Sequence, residues 1–345
     1  MKFEPVLQKT ALMETIQQAY GHPVCALTFL PVGMVGFHYI AECIDGKRIF
    51  VTLLSDSYLA KIQTSRLDFT LELTSKLLEG GMFTAQPAIH RTLDGKLKTH
   101  FQGQPLIIYD YIDGITLGEI QPYPTEVLTN LGRLVAKLHR ATANIGVDVP
   151  YIEHFRLPFE EPLLAGLKDL ERISANDRPG KVELREILLP RRETIFHLLL
   201  RLHELGDAGR ALNPPLVLVH TDITPNNILC TPQGDLILVD WEGIMLAPAE
   251  HDLVLFAGEG FATLLAEYYR AAAKPRLHPE LFAYYCHRRN LEDITGFMVS
   301  VLTENTTAEQ DRLLLDLLTS DCLSSWPFLE KSQEWAARHI QALTV

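Results

Sequence analysis

Positive charge is scarce in this chain. Lys and Arg number 31 against 43 Asp and Glu, for a formal charge of −12. Nucleic-acid backbones are bound by clustered cations, so the deficit argues against a nucleic-acid partner. An acidic surface suits a cationic ligand better. Cysteine is also sparse: Cys25, Cys43, Cys230, Cys286 and Cys322 are scattered, odd in number and form no CxxC pair. That usage predicts reduced thiols and a cytoplasmic location. Met1–Thr10 carries Glu4 and Gln8 and no apolar signal-peptide core. No apolar run approaches the roughly 20 residues that span a bilayer, so no membrane association is expected. Internal repeats and low-complexity tracts are missing too. The expected state is a monomer or weak dimer.

What is present is a large apolar content, 47% of 345 residues. A chain of this size is expected to bury a sizeable core and to divide into two lobes. The first third reads mainly as strands. Three β-rich runs lie between Cys25 and Leu54, separated by a loop at Gly33–Gly36 and an Asp45-Gly46 turn, a strong hairpin signal. A helix is predicted over Leu67–Leu78, ended by Gly80-Gly81. Strands follow around Lys96–His100 and Pro105–Tyr111. After Asp113-Gly114 the pattern turns helical: Leu128, Leu131, Leu134, Val135 and Leu138 recur at helical spacing. Residues 159–212 and those after Pro248 read as helix. The expected fold is α+β, with a β-rich N-lobe over 1–110 and a mainly helical C-lobe over 111–345.

One stretch interrupts the helical lobe: LVHTDITPNNILCTPQGDLILVDWEG, Leu218–Gly243. Two short apolar strands join through a Gly234 turn. The hairpin brings Asn227 and Asp240 to the ends of neighbouring strands, and Asp222 sits on the loop before them. Asn and Asp supply hard oxygen ligands suited to Mg²⁺. A third carboxylate placed to accept a proton from an attacking hydroxyl completes what phosphoryl transfer needs. The spacing His220-x-Asp222-x4-Asn227, with Asp240 on the next strand, matches the catalytic and metal-binding segments of protein-kinase-like enzymes. An ordinary hairpin loop would use the same residue types as turn formers, one position at a time. Four of them at this spacing between two apolar strands favour the catalytic reading. His220 follows a buried run and is expected to organise the loop.

HTDITPNNIL resembles the HGDxxxxN loop of the aminoglycoside phosphotransferase family. LVDWEGIMLAPAEHDL resembles the same family's metal-binding segment. LFAYYCHRRNLEDITGF (Leu281–Phe297) and LIIYDYIDGITL are similar to segments of its spectinomycin phosphotransferase-like members. The resemblance runs over roughly Leu27–Leu302. It implies a two-lobed protein-kinase-like fold, ATP or GTP with Mg²⁺, and a small-molecule alcohol as substrate. It implies Asp222 as catalytic base, Asn227 and Asp240 as metal ligands, and Glu242 as an aid to metal or substrate. The backbone of Asp110, Tyr111 and Ile112 would read the purine, Gly33 and Gly36 would cover the phosphates, and Asp252 would anchor the site structurally. Asp293 is a candidate contact to a cationic substrate, with a solvated helix face as the plainer alternative.

One position departs from the pattern. Kinase-like enzymes place a lysine on the third strand, where it contacts phosphates and pairs with a helix glutamate. Here the strand KRIFVTLL puts Thr52 there. Glu72 is the candidate helix glutamate, and His38 a candidate substitute cation. Three functions stay open on the sequence: an aminoglycoside or aminocyclitol O-phosphotransferase, a choline-like or sugar-alcohol kinase of the same fold, and a non-catalytic nucleotide-binding relative.

Overall fold

The computed structural model describes residues 3–258 and 260–343. Its contacts divide the chain into two compact units. The first holds Met1–Val147 and His220–Ile244; the second holds Asp148–Val219 and Met245–Val345. Residues 111–147 and the 220–244 segment were expected with the helical lobe. They share their contacts with the sheet instead.

The first unit opens with α1 (Lys9–Tyr20). Strands β1 (Val24–Leu30), β2 (Gly36–Cys43) and β3 (Arg48–Leu54) follow, then α2 (Tyr58–Thr64) and α3 (Leu67–Glu79). β4 (Thr99–Phe101) and β5 (Gln104–Asp110) complete an antiparallel sheet of order β1-β2-β3-β5-β4. The β2–β3 connection is the expected Asp-Gly turn: Gly46 has φ +83° and its N–H donates to the Cys43 carbonyl at 2.9 Å. Strand alternation splits β3 between two cores. Ile49, Val51 and Leu53 pack with Tyr39, Ala41 and the α1 residues Leu12, Ile16 and Tyr20. Leu54 faces the other way, joining Ile107 and the α3 residues Leu67 and Leu71. β6 (Ile115–Thr116) and α4 (Thr125–Ala141) close this part of the chain.

The sequence reading did not anticipate α1. Its three buried residues recur every fourth position, but no side chain caps its start. Covering one face of the sheet is what holds it, including a hydrogen bond from the Tyr20 hydroxyl to the Leu106 carbonyl at 2.9 Å.

The second unit carries α5 (Glu160–Leu170), α6 (Pro179–Leu188), α7 (Arg192–Leu212) and β7 (Val217–Val219). The chain then returns to the first unit for β8 (Ile228–Cys230) and β9 (Leu236–Leu238), which form a small sheet of order β6-β8-β9. β10 (Met245–Ala247) pairs antiparallel with β7 back in the second unit, Val219 opposite Met245 and Val217 opposite Ala247. Helices α8 (Glu250–Leu253), α9 (Phe261–Ala271), α10 (Pro279–Val299), α11 (Ala308–Leu317), α12 (Trp326–Leu329) and α13 (Ser332–Ala342) finish the chain. α10 is central and packs against α5, α7 and α13. Its buried residues include Leu281, Phe282, Tyr284, Tyr285, Leu291 and Ile294, so it is apolar around most of its circumference.

Candidate active site

The polar residues of the hairpin are held by the backbone of the strands that flank them. His220 is fully buried at the end of β7. Its Nε2 lies 2.9 Å from the Val239 carbonyl, and its Nδ1 lies 3.3 Å from the Asp222 N–H. A carbonyl accepts and an amide donates, so the ring is the neutral Nε2–H tautomer. It ties the loop before Asp222 to the residue before Asp240. Trp241 stacks edge-on to His220 at 4.6 Å between centroids, and its Nε1 donates to the Leu238 carbonyl at 3.0 Å.

Asp222 and Asn227 meet directly. The Asn227 amide donates to the Asp222 carboxylate at 2.7 Å and to the Asp222 carbonyl at 3.0 Å. The Asn227 carbonyl in turn accepts the Val239 N–H at 3.0 Å, one residue short of Asp240. Thr221 (φ +76°) and Asp240 (φ +64°) both sit in the left-handed region, an unfavourable conformation for a non-glycine residue and above all for β-branched threonine. Such backbone persists where surrounding contacts enforce it. Gly243 is one of those contacts: a Cβ there would overlap the Thr221 hydroxyl.

The site is acidic. Desolvation by surrounding protein, then the Asp222 carboxylate, pushes the Asp240 pKa up. Asp240 is itself exposed, so the neighbouring Asp222 carboxylate is the cause that its surroundings support. Desolvation and then Asp240 raise Glu242, which is half-buried. Glu242 lines a small cavity with Leu67, Thr70, Leu71, Thr74 and Tyr109. No group of three or more His, Cys, Asp or Glu side chains encloses a metal among the described residues. A hard cation held by one Asp and one Asn fits Mg²⁺, which is commonly bound by few protein oxygens and completed by water and phosphate.

The other expected residues divide. Gly33 is exposed with φ +67° between β1 and β2, and Gly36 begins β2. Thr52 is buried in β3, opposite His38 of β2 and Ile107 of β5. Alternation along β3 puts it on the face of Leu54, toward α3. Glu72 is exposed, whereas Leu67, Thr70, Leu71 and Thr74 form the buried side of α3. The helix therefore turns Glu72 away from the strand position it was expected to partner. Burial pushes the His38 pKa down to about 3, so this ring is neutral and supplies no cation. The Asp110 N–H is already donated to the Ala88 carbonyl at 2.9 Å, which leaves Tyr111 and Ile112 as the hinge candidates. The Arg48 guanidinium lies over the Tyr111 ring at 4.2 Å.

In the second unit, Asp252 is fully buried on α8. Asp293 is half-buried on α10 and accepts from Arg289 Nε at 2.9 Å, so its charge already has a partner. Sequence reasoning missed a stronger feature on that helix. Arg288 pairs with Glu292 at 2.9 Å and also with Glu153, whose side chain is 3% exposed. The i,i+4 spacing of Arg288 and Glu292 was visible; the distant Glu153 was not.

Fold and site together define a kinase-like phosphotransferase. The sequence profile of the phosphotransferase enzyme family matches residues 48–296, and the chain belongs to that family. It is a transferase with an alcohol group as acceptor. Among solved structures, spectinomycin phosphotransferase in complex with ADP and spectinomycin aligns over 92% of this chain and 94% of its own, with TM-score 0.72 and 20% identity. An aminoglycoside phosphotransferase from Alicyclobacillus acidocaldarius aligns over 99% and 98%, with TM-score 0.58 and 14% identity. Choline kinase from Streptococcus pneumoniae aligns over 92% and 99%, with TM-score 0.56 and 16% identity. At these identities the likeness is one of fold. No curated protein matches the sequence.

Proposed function

We propose that the chain is a nucleoside-triphosphate- and Mg²⁺-dependent O-phosphotransferase acting on a small cationic alcohol of the aminocyclitol type. The observation that carries this reading is the direct Asp222–Asn227 contact at 2.7 Å beside Asp240. Asp222 orients the acceptor hydroxyl and takes its proton. The Asn227 side-chain amide holds that carboxylate in place, leaving the Asn227 side-chain oxygen and the Asp240 carboxylate as metal ligands. A bound Mg²⁺ would neutralise charge on the transferred phosphate. His220 positions the loop and Asp252 supports its own unit. Tyr111 and Ile112 offer backbone to the purine, and Gly33 and Gly36 belong to the loop over the phosphates. The substrate class rests on the likeness to a spectinomycin phosphotransferase and on the acidic site.

The test is a mass-shift screen with ATP and Mg²⁺ over aminocyclitols, aminoglycosides, choline-like alcohols and sugar alcohols. A phosphorylated aminocyclitol supports the reading. A product only from choline-like alcohols favours a metabolite kinase, the reading that the likeness to a choline kinase supports. Asp222→Asn should abolish transfer while Mg²⁺·ADP binding survives within a few-fold; retained turnover would remove Asp222 as the base.

A further inference from the structure

Kinase-like enzymes join the third strand to the neighbouring helix through a lysine–glutamate ion pair, and the lysine also meets the nucleotide phosphates. Neither residue stands at its position here: β3 carries Thr52, and the candidate glutamate on α3, Glu72, is exposed. Thr52 and His38 are 3% and 7% exposed, and their side chains lie within hydrogen-bond distance, Thr52 Oγ1 to His38 Nδ1 at 3.2 Å. Gly36 leaves room for the pair: a Cβ there would stand 3.3 Å from both side chains. Two α3 residues, Leu67 and Leu71, pack in the apolar cluster on the Thr52 face of β3, and Leu71 is the neighbour of Glu72. Leu71 packs in one cluster with Leu54, two residues along β3, and with Ile107, directly across from Thr52. The acid that α3 does carry, Glu72, points to solvent.

We propose that the strand–helix ion pair is replaced as a unit, by the buried His38–Thr52 hydrogen bond on the strand and by Leu71 on the helix, so that nucleotide phosphates are held here without a cation from the described residues. The proposal rests on the phosphotransferase reading. Two consequences follow from electrostatics. A lysine returned to position 52 alone would be a buried charge with no acid on the buried side of α3 to pair with, and would destabilise the fold. A lysine returned together with an acid at position 71 would restore both the pair and a phosphate contact.

The experiment compares wild type, Thr52→Lys, Leu71→Glu and the double variant, by thermal unfolding and by calorimetric titration with Mg²⁺·ADP. Thr52→Lys alone should lower Tm by roughly 5–10 °C, and the double variant should recover at least half of that loss. The double variant should also bind ADP roughly tenfold more tightly than wild type. Unchanged Tm and tighter ADP binding in Thr52→Lys alone would overturn replacement as a unit. Lys61 on α2 and Lys47 before β3 test the missing cation separately, even if a position-52 variant does not fold. Lys61→Ala and Lys47→Ala should leave ADP affinity within about threefold of wild type, and a tenfold loss in either would overturn the proposal. If wild type fails to bind Mg²⁺·ADP at all, the phosphotransferase reading falls with it; if it binds and the variants disagree, only the replacement is wrong.

Discussion

In the proposed mechanism a carboxylate, an amide and a second carboxylate carry the chemistry, and a glycine beside them matters as much as their polar partners. At Gly243 a Cβ would overlap the side-chain hydroxyl of Thr221, whose backbone is left-handed. Gly243→Ala should cost about 1–3 kcal/mol in unfolding free energy, measured by denaturant titration, and should reduce transfer more than nucleotide binding. The raised Asp240 and Glu242 pKa values add a pH signature. Protons compete with a cation for these groups at a higher pH than for ordinary carboxylates. Mn²⁺ affinity should therefore rise steeply from mildly acidic to mildly alkaline pH; a flat profile would separate the metal from Asp240. The meeting of Asp222 and Asn227 was legible in the sequence because five residues of one loop fix their separation locally. Glu72 was misread because only packing decides which face of α3 meets the sheet. The neutrality of His38 was equally hidden, since burial between strands sets it.

The same contrast holds for elements. β2 and β3 were readable from the Asp45-Gly46 turn, and α4 from its apolar spacing. α1 was not, because its stability comes from the sheet it covers. α10 was read as a helix, yet its strongest polar link reaches Glu153, far away in sequence. Removing Arg288 would strand that buried carboxylate. Arg288→Met should lower stability by about 3–5 kcal/mol, while the joint Arg288→Met, Glu153→Leu variant recovers much of it. Thermal unfolding of the three proteins checks this, and equal losses in both variants would show that the pair is not the cause.

At the level of the whole molecule, stability should depend on pH through a group outside the site. Burial pushes the Glu250 pKa up to about 7, and its carboxylate accepts the His278 N–H at 2.7 Å. The folded chain holds this proton more tightly than the unfolded one, whose carboxyl titrates near 4.5. Stability is thus fully present below the unfolded pKa and is lost as pH rises toward 7, by about 3 kcal/mol. Glu250→Gln keeps an acceptor for His278 and should remove this loss, matching wild type near pH 4.5 and exceeding it at pH 8. The large-scale division of the chain was the part least visible in sequence. Linear reading placed one border at residue 110, but contacts assign the 220–244 segment to the unit that contains the sheet.

The β7–β10 ladder gives that assignment a practical meaning. It sets Val219 opposite Met245, so the chain leaves and re-enters the second unit about one strand spacing apart. Everything between is a closed excursion whose entry and exit are held together by the ladder. Within it, the turn at Gly234 is the place where extra residues would leave Asp222, Asn227 and Asp240 at their separations, at a loop-closure cost that grows only with the logarithm of the added length.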